Sequence, residues 1–281
     1  MFIAPASIYF AVFLLLPVLA VGAFAFTDWS GFDLSNARWN GLGNFDALRS
    51  DEMFRRTFLH TLVFVALSTV LLNAFGLGLA LLIDARVRGS EFLRIAVLLP
   101  LALSPVVTAV LWNNLLGPYG YVNTALVEGL GLSDTPIEFL GQPKMSFATL
   151  IASAVWQYSA FDVLLYYAAL QNQPRDLLGA ASIDGAGAWS RFVHVTVPFL
   201  RPVIAVIVIL NLIGGWKVFE LVLVLTGGGP DHSTDVLSTY LYQQAFQFSS
   251  VGYASTIAVV IVVLAILSAL LRRRIAGEHA R

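Results

Sequence analysis

Residues 174–202 read Pro-Arg-Asp-Leu-Leu-Gly-Ala-Ala-Ser-Ile-Asp-Gly-Ala-Gly-Ala-Trp-Ser-Arg-Phe-Val-His-Val-Thr-Val-Pro-Phe-Leu-Arg-Pro. This polar, helix-forming stretch lies between two long apolar runs, as a membrane protein's handle for a partner on one face of the bilayer would. Pro174 suits a first helical turn, where its missing N–H is unpaired in any case. Asp176 sits at the positive end of that helix. Leu177, Leu178, Ala181 and Ile183 give it an apolar side, and Gly185 permits a tight bend after it. A second turn is expected through Trp189, Phe192 and Val193, after which Pro198 and Pro202 lead the chain back into the bilayer.

Outward from the insert, the composition is that of a membrane chain. The mean hydropathy is +0.80, with 58% apolar and 12% charged residues, against about 25% charged in a typical soluble domain. A helix needs about 20 apolar residues to cross the hydrocarbon core. Runs of that kind occur at Phe2–Thr27, Thr61–Ile83 and Ile95–Leu116. Three more follow: Met145–Phe161, continuing past Asp162 to Ala169; Pro202–Trp216, continuing past Lys217 and Glu220 to Leu225; and Val251–Leu271. The expected architecture is all-α and integral to the membrane, one transmembrane domain over 1–281 with six transmembrane helices. No cysteine is present, which excludes disulfides and thiolate chemistry. Neither repeats at solenoid periods nor low-complexity tracts occur.

Charge sets the orientation, because loops on the cytoplasmic side carry an excess of Lys and Arg. Segments 84–94, 171–201 and 272–281 hold Arg86, Arg88, Arg94, Arg175, Arg191, Arg201, Arg272, Arg273, Arg274 and Arg281. They hold only five acids: Asp84, Glu91, Asp176, Asp184 and Glu278. The opposite loops reverse the balance, with Arg38, Arg49, Arg55, Arg56 and Lys144 against ten acids. The insert and both termini are therefore expected in the cytoplasm. A secretory signal over residues 1–26 is an alternative, since Ala23-Phe24-Ala25 is a cleavage-like site, but its n-region has no basic residue and its apolar run is long.

The insert resembles the EAA loop of the membrane subunits of binding-protein-dependent ABC importers. In that loop two adjacent alanines precede a glycine, and an aliphatic-x-aliphatic-Pro ending follows. Ala180, Ala181, Gly185 and Val195-Thr196-Val197-Pro198 hold those places here. The glutamate that usually opens the loop is Gly179, a residue about 1 kcal/mol less favourable than Ala inside a helix. Further matches are Leu225-Thr226-Gly227-Gly228-Gly229-Pro230, Tyr242-Gln243-Gln244-Ala245-Phe246 and Gly252-Tyr253-Ala254-Ser255. They resemble the carbohydrate-uptake subfamily and, within it, the MalF/UgpA-like subunit with its MalF/MetI-like fold. Phe26-Thr27-Asp28-Trp29 and Gly41-Leu42-Gly43-Asn44-Phe45 resemble that subunit's first external loop, where Asn44 is placed to cap a short helix.

The resemblance implies a set of partners. These are a second homologous permease (MalG/UgpE-like), two copies of an ABC ATPase and an extracytoplasmic solute-binding protein, in a bacterial or archaeal inner membrane. It assigns Leu177, Leu178, Gly179, Ala180, Ala181, Asp184, Gly185, Arg191 and Pro198 to ATPase docking. No cofactor is expected in this chain; ATP and Mg would be used by the ATPase. The alternative for the insert, an amphipathic helix lying on lipid, expects a basic face that it lacks.

Ionisable groups inside spans are rare and, by default, functional. Asp162 interrupts the fourth apolar run, and Lys217 and Glu220 interrupt the fifth. The latter two are three apart and would share a helix face as an ion pair. Aromatic faces beside amides and carboxylates suit a sugar, whose CH faces stack while its hydroxyls are hydrogen-bonded. Asn113, Asn114, Trp156, Gln157, Tyr158 and Asp162 are the candidate solute contacts, set where the resemblance expects the sugar, among the third and fourth spans. An interfacial aromatic belt is the competing reading for Trp112, Tyr119 and Tyr121.

No catalytic set is expected, and His60, His194, His232 and His279 are scattered without metal spacing. Gly227-Gly228-Gly229-Pro230 lacks the Lys-Ser/Thr of a phosphate loop and reads as a helix stop. Nothing points to nucleic acid. Two rivals to an ABC permease remain at this level. An intramembrane enzyme would need clustered acids or histidines, and a secondary transporter without an ATPase would not need the 174–202 insert.

Overall fold

The computed structural model describes residues 3–85, 88–131 and 134–276. Phe2, Arg86, Glu278 and Arg281, which enter the span and charge arguments, lie outside them. The main helices are α1 (Ala4–Phe24), α2 (Gly43–Ser50), α3 (Glu52–Asp84), α4 (Ser90–Ala102), α5 (Pro105–Leu116), α6 (Pro143–Gln171), α7 (Arg175–Ile183), α8 (Ala188–Trp216), α9 (Glu220–Leu225), α10 (Leu237–Tyr242) and α11 (Val251–Ala276). Among the described residues the extended pairing is a single bridge, Thr27 with Trp39.

Five helices, α1, α3, α6, α8 and α11, are long and apolar enough to cross a membrane. α4 and the helical stretch Pro105–Val127 that α5 begins are bent by 110° to each other and make a sixth crossing only if the pair counts as one broken span. The third span is therefore not the straight helix expected over Ile95–Leu116. Its break has a local cause. A residue before proline is driven to extended backbone, and Ser104 (φ −72°, ψ 154°) precedes Pro105. The Ser104 Oγ then accepts the Val107 N–H at 3.3 Å, which starts a new helix.

The fifth span also departs from expectation, at both ends. The second half of the insert is no separate helix. It runs from Ala188 straight into the span through a π-helical segment, Phe192–Thr196. That wider turn absorbs the disturbance of Pro198, whose ring cannot sit in a regular α-turn. At the other end the helix stops at Trp216. Lys217 (φ −114°, ψ 16°) and Phe219 (φ −137°, ψ −66°) leave helical backbone before α9 begins.

α3 is the central element, packed against α6 and α8; α8 also packs on α11, and α11 on the second half of α1. Gly76 allows α3 and α6 to cross closely, since a Cβ there would lie 2.7 Å from the Asp162 Cβ. Small residues serve this purpose where lipid supplies no hydrophobic drive between helices. Phe64, Val65, Leu72, Leu150, Trp216 and Leu221 fill the middle of the bundle. Ile83, Val163, Tyr166, Leu170, Leu200 and Ile207 fill the end nearer the insert.

At the end of the bundle away from the insert, side-chain polar groups fasten the helices. Asn44 does not cap α2. Its Nδ2 donates to the Ala25 and Thr27 carbonyls at 3.0 and 2.7 Å, tying down the end of α1. Ala25, the last residue of the cleavage-like site, is fully buried, and its carbonyl also accepts from Thr256 Oγ1 at 3.1 Å. Asp51 caps α3 by accepting the Met53 and Phe54 amides, and its second oxygen takes the hydroxyls of Tyr240 and Tyr253. Burial alone would raise this carboxyl; the hydroxyls and amides together hold it below its ordinary value.

Candidate functional site

The insert is a helix closed by a glycine. The Ala186 N–H reaches the Ala181 carbonyl at 2.9 Å and the Gly185 N–H reaches that of Ser182 at 3.1 Å. This pair of bonds is the Schellman closure, which needs a left-handed residue after the helix. Gly185 supplies it at φ +79°, and a Cβ added there would meet nothing within 4 Å, so the demand on glycine is conformational and not steric. Leu177, Ile183 and Trp189 are exposed, Ile183 at 88%. Gly179, Ala180 and Asp184 are exposed beside them, while Leu178, Ala181 and Pro198 are half-buried. Pro174 stands one residue before α7 as its N-cap.

This exposed segment is braced from behind. The Arg191 guanidinium donates to Ser182 Oγ, linking the start of α8 to α7. Gln173 Nε2 donates to Thr196 Oγ1 at 3.3 Å, and Gln171 Nε2 donates to Asp84 Oδ1 at 2.6 Å. α3, α6, α7 and α8 are thus joined at one end of the bundle.

A cavity of about 630 Å³ opens deeper between α3, α4, α6, α8 and the break before α9. Its polar lining is Ser68, Tyr158, Asp162, Asn211, Lys217 and Glu220, set among Phe64, Leu72, Leu101, Phe161 and Leu210. Asp162 is buried and accepts one hydrogen bond among the described residues, from Asn211 Nδ2 at 2.7 Å. Lys217 and Glu220 are exposed and form no ion pair with each other among the described residues. Helical i,i+3 spacing does not apply to them, because the helix ends at Trp216 and restarts at Glu220. The structure nonetheless brings both to the same cavity as Asp162 and Tyr158.

The other expected solute contacts are placed elsewhere. Gln157 holds the break in the third span: its Nε2 donates to the Pro100 and Leu103 carbonyls at 3.1 and 2.9 Å, and its Oε1 accepts from Thr108. The Pro100 carbonyl also accepts the Leu103 N–H at 3.1 Å, whereas the Leu103 carbonyl, in extended backbone at the break, would need another donor inside a bilayer. Asn113 Nδ2 donates to the Leu225 carbonyl at 3.0 Å and fastens α9 to α5. Asn114 is exposed and bonds its own helix at Val110. Trp156 packs edge-on against Trp112, ring centroids 5.5 Å apart at 90°. Sequence reasoning missed Asn211 and Ser68. An amide within Ile209-Leu210-Asn211-Leu212 was the available signal for the first; a serine in an apolar helix carries almost none.

At the end away from the insert, the glycine run forms the expected helix stop after α9, with Gly227 at φ +60° and Gly228 at φ +90°. Gly228 is required sterically as well, because a Cβ there would overlap Asp235 Oδ1. Asp235 is fully buried and meets His232 Nδ1 at 2.6 Å, Thr239 Oγ1 at 3.1 Å and Gln243 Nε2 at 3.3 Å.

Residues 89–277 match the model of the family described as binding-protein-dependent transport system inner membrane component. The lactose transport system permease protein LacF of Rhizobium radiobacter is 33% identical over 268 residues, covering 94% of this chain and 89% of that protein. The probable ABC transporter permease protein YurN of Bacillus subtilis (strain 168) is 30% identical over 276 residues, 98% of this chain and 94% of that protein. Among solved structures, a chain of a bacterial alginate ABC transporter in complex with an alginate pentasaccharide-bound periplasmic protein superposes with a TM-score of 0.85. It is 28% identical and covers 99% of this chain and 93% of that one.

Proposed function

The chain belongs to the family of binding-protein-dependent transport system inner membrane components, and we propose that it supplies half of the path by which a sugar or sugar-like solute is imported. It is a multi-pass permease of an ABC importer, a membrane pathway component and not an enzyme. The observation that carries the solute reading is the cavity, where Tyr158, Asp162, Asn211, Lys217 and Glu220 converge inside an apolar bundle. Charged groups in hydrocarbon are unfavourable by about 2.5–3.5 kcal/mol on insertion scales, so these face water, a partner or solute. Relatives named for lactose and for starch degradation products support a carbohydrate.

The complete machine would hold a second permease, two ATPases using ATP and Mg, and an extracytoplasmic binding protein, with the insert and both termini in the cytoplasm. The exposed Leu177, Ile183 and Trp189 would dock the ATPase, with Ala180 and Ala181 small enough for close approach. The geometry gives this docking a route to the solute. The insert joins α6 to α8, and both helices line the cavity. Displacement of the insert by the ATPases would shift those two walls together, since Arg191–Ser182 and Gln173–Thr196 tie it to them.

The test is purification of the tagged chain from its native membrane in mild detergent. An ATPase should co-elute and hydrolyse ATP, and Ser182→Cys should label only from the cytoplasmic face. Recovery without any ATPase, or labelling from outside intact cells, would overturn the reading.

A further inference from the structure

The polar groups of the cavity are of unequal kinds. Asp162 and Glu220 only accept hydrogen bonds when ionised, Lys217 only donates, and the hydroxyls of Tyr158 and Ser68 do both. Asn211 both donates and accepts through its amide and gives one N–H to Asp162, and Ser68 donates to the Val65 carbonyl at 3.4 Å. Lys217, Glu220 and the Tyr158 hydroxyl have no hydrogen-bond or ion-pair partner among the described residues, and all three line the cavity. Two carboxylates therefore face one ammonium, and those three are the charged residues of the lining among the described residues.

We propose that this cavity admits uncharged polyhydroxylated solutes and disfavours acidic ones, with Glu220 as the specificity-determining residue. The proposal rests on the reading of the cavity as the solute path. A sugar hydroxyl both donates and accepts, so it can meet every group in the lining. A uronate or phosphodiester oxygen only accepts. It would compete with two carboxylates for Lys217, the Tyr158 hydroxyl and the second Asn211 N–H, in a site whose apolar walls strengthen repulsion between like charges. Glu220 is the more adjustable of the two acids, being exposed and bound to nothing among the described residues, whereas Asp162 is buried and held by Asn211.

The potential can be read without knowing the solute. Gly214 lines the cavity, is exposed, and has nothing within 4 Å of an added Cβ; the chain has no cysteine of its own. In the assembled transporter in nanodiscs, Gly214→Cys is treated with methanethiosulfonate reagents of matched size, one trimethylammonium and one sulfonate. Modification is followed on this chain by mass, and rates are normalised to a free thiol in solution. The cationic reagent should react about tenfold faster or more, within the range over which charged clefts change encounter rates. Glu220→Gln should lower the ratio several-fold, and Lys217→Gln should raise it. A preference for the anionic reagent, or a ratio indifferent to Glu220→Gln, would overturn the proposal.

A second arm separates this from the underlying reading. Maltotriose should protect Gly214→Cys at lower concentration than trigalacturonate, and the opposite order overturns the proposal. Protection by neither, in a complex still hydrolysing ATP, overturns the solute-path reading instead, and the reagent ratio still decides the sign of the cavity.

Discussion

Two polar tiers divide this molecule. At the end away from the insert, Asp235 is fully buried with three side-chain partners, Asp51 takes two amides and two hydroxyls, and Asn44 holds two carbonyls. In the central cavity Lys217 and Glu220 have no partner among the described residues and Asp162 has one. Both tiers contain carboxylates that a hydropathy profile treats alike. What separates them is whether the fold has used up their hydrogen-bonding capacity. A satisfied carboxylate holds elements together, and an unsatisfied one beside a cavity is available to something that comes and goes.

The comparison predicts opposite consequences for similar substitutions. Asp235→Ala should be the most damaging, because it removes a fully buried carboxylate that joins His232, Thr239 and Gln243. A loss on the order of 3 kcal/mol is expected, read as a fall in melting temperature and in recovered complex. A variant of ordinary stability would break the comparison. Gln157→Ala comes next, at about 1–3 kcal/mol, since the Leu103 carbonyl loses its side-chain donor and buried Thr108 its side-chain acceptor. It should lower transport and thermal stability together; a selective change in solute preference at unaltered stability would move Gln157 into the cavity's class.

Gly185→Val should cost about 1–2 kcal/mol, because an L-residue is held in left-handed backbone. Here ATPase co-purification is the sensitive measure, and membrane insertion should survive. Glu220→Gln should shift stability by no more than about 0.5 kcal/mol, as an exposed residue without partners does, while altering solute discrimination. A large drop in melting temperature would place it in the satisfied tier.

The smallest effect expected is one of pH. The Asp51 carboxyl lies below its ordinary value of 3.8 in the fold, so it contributes stability above that value and loses it as pH falls through the lowered one. Asp51→Asn should flatten that acid limb in a melting series between about pH 5 and 2.

Much of this is legible in the residues. The apolar runs at Thr61–Ile83 and Val251–Leu271 give α3 and α11, because span length is a direct consequence of bilayer thickness. The Gly185 bend is legible because a left-handed closure has a residue signature. The breaks are harder to read, although Pro100 and Pro105 flank the first of them and Gly214-Gly215 precede the second. Without them the side chains are misdirected: Gln157 is expected to touch solute when its neighbours in space are the backbone carbonyls of a helix break, and Lys217 and Glu220 are expected to pair on a helix that stops between them. Asn44 reads locally as a cap and instead bonds residues 17 and 19 positions away. A side chain's partner across the fold leaves no trace in its own sequence neighbourhood.

The length of α8 has a mechanical consequence. Its 29 residues span roughly 43 Å at 1.5 Å per residue, with the exposed Trp189 near one end and Lys217 just past the other. If it tilts as one body through the π-helical segment and Pro202 that it contains, a tilt of about 5° becomes a travel of about 4 Å at its tip. That leverage is enough to carry an ammonium out of reach of one hydroxyl and into reach of the next, so grip on a solute could be loosened from the far side of the bilayer with no bond broken in between.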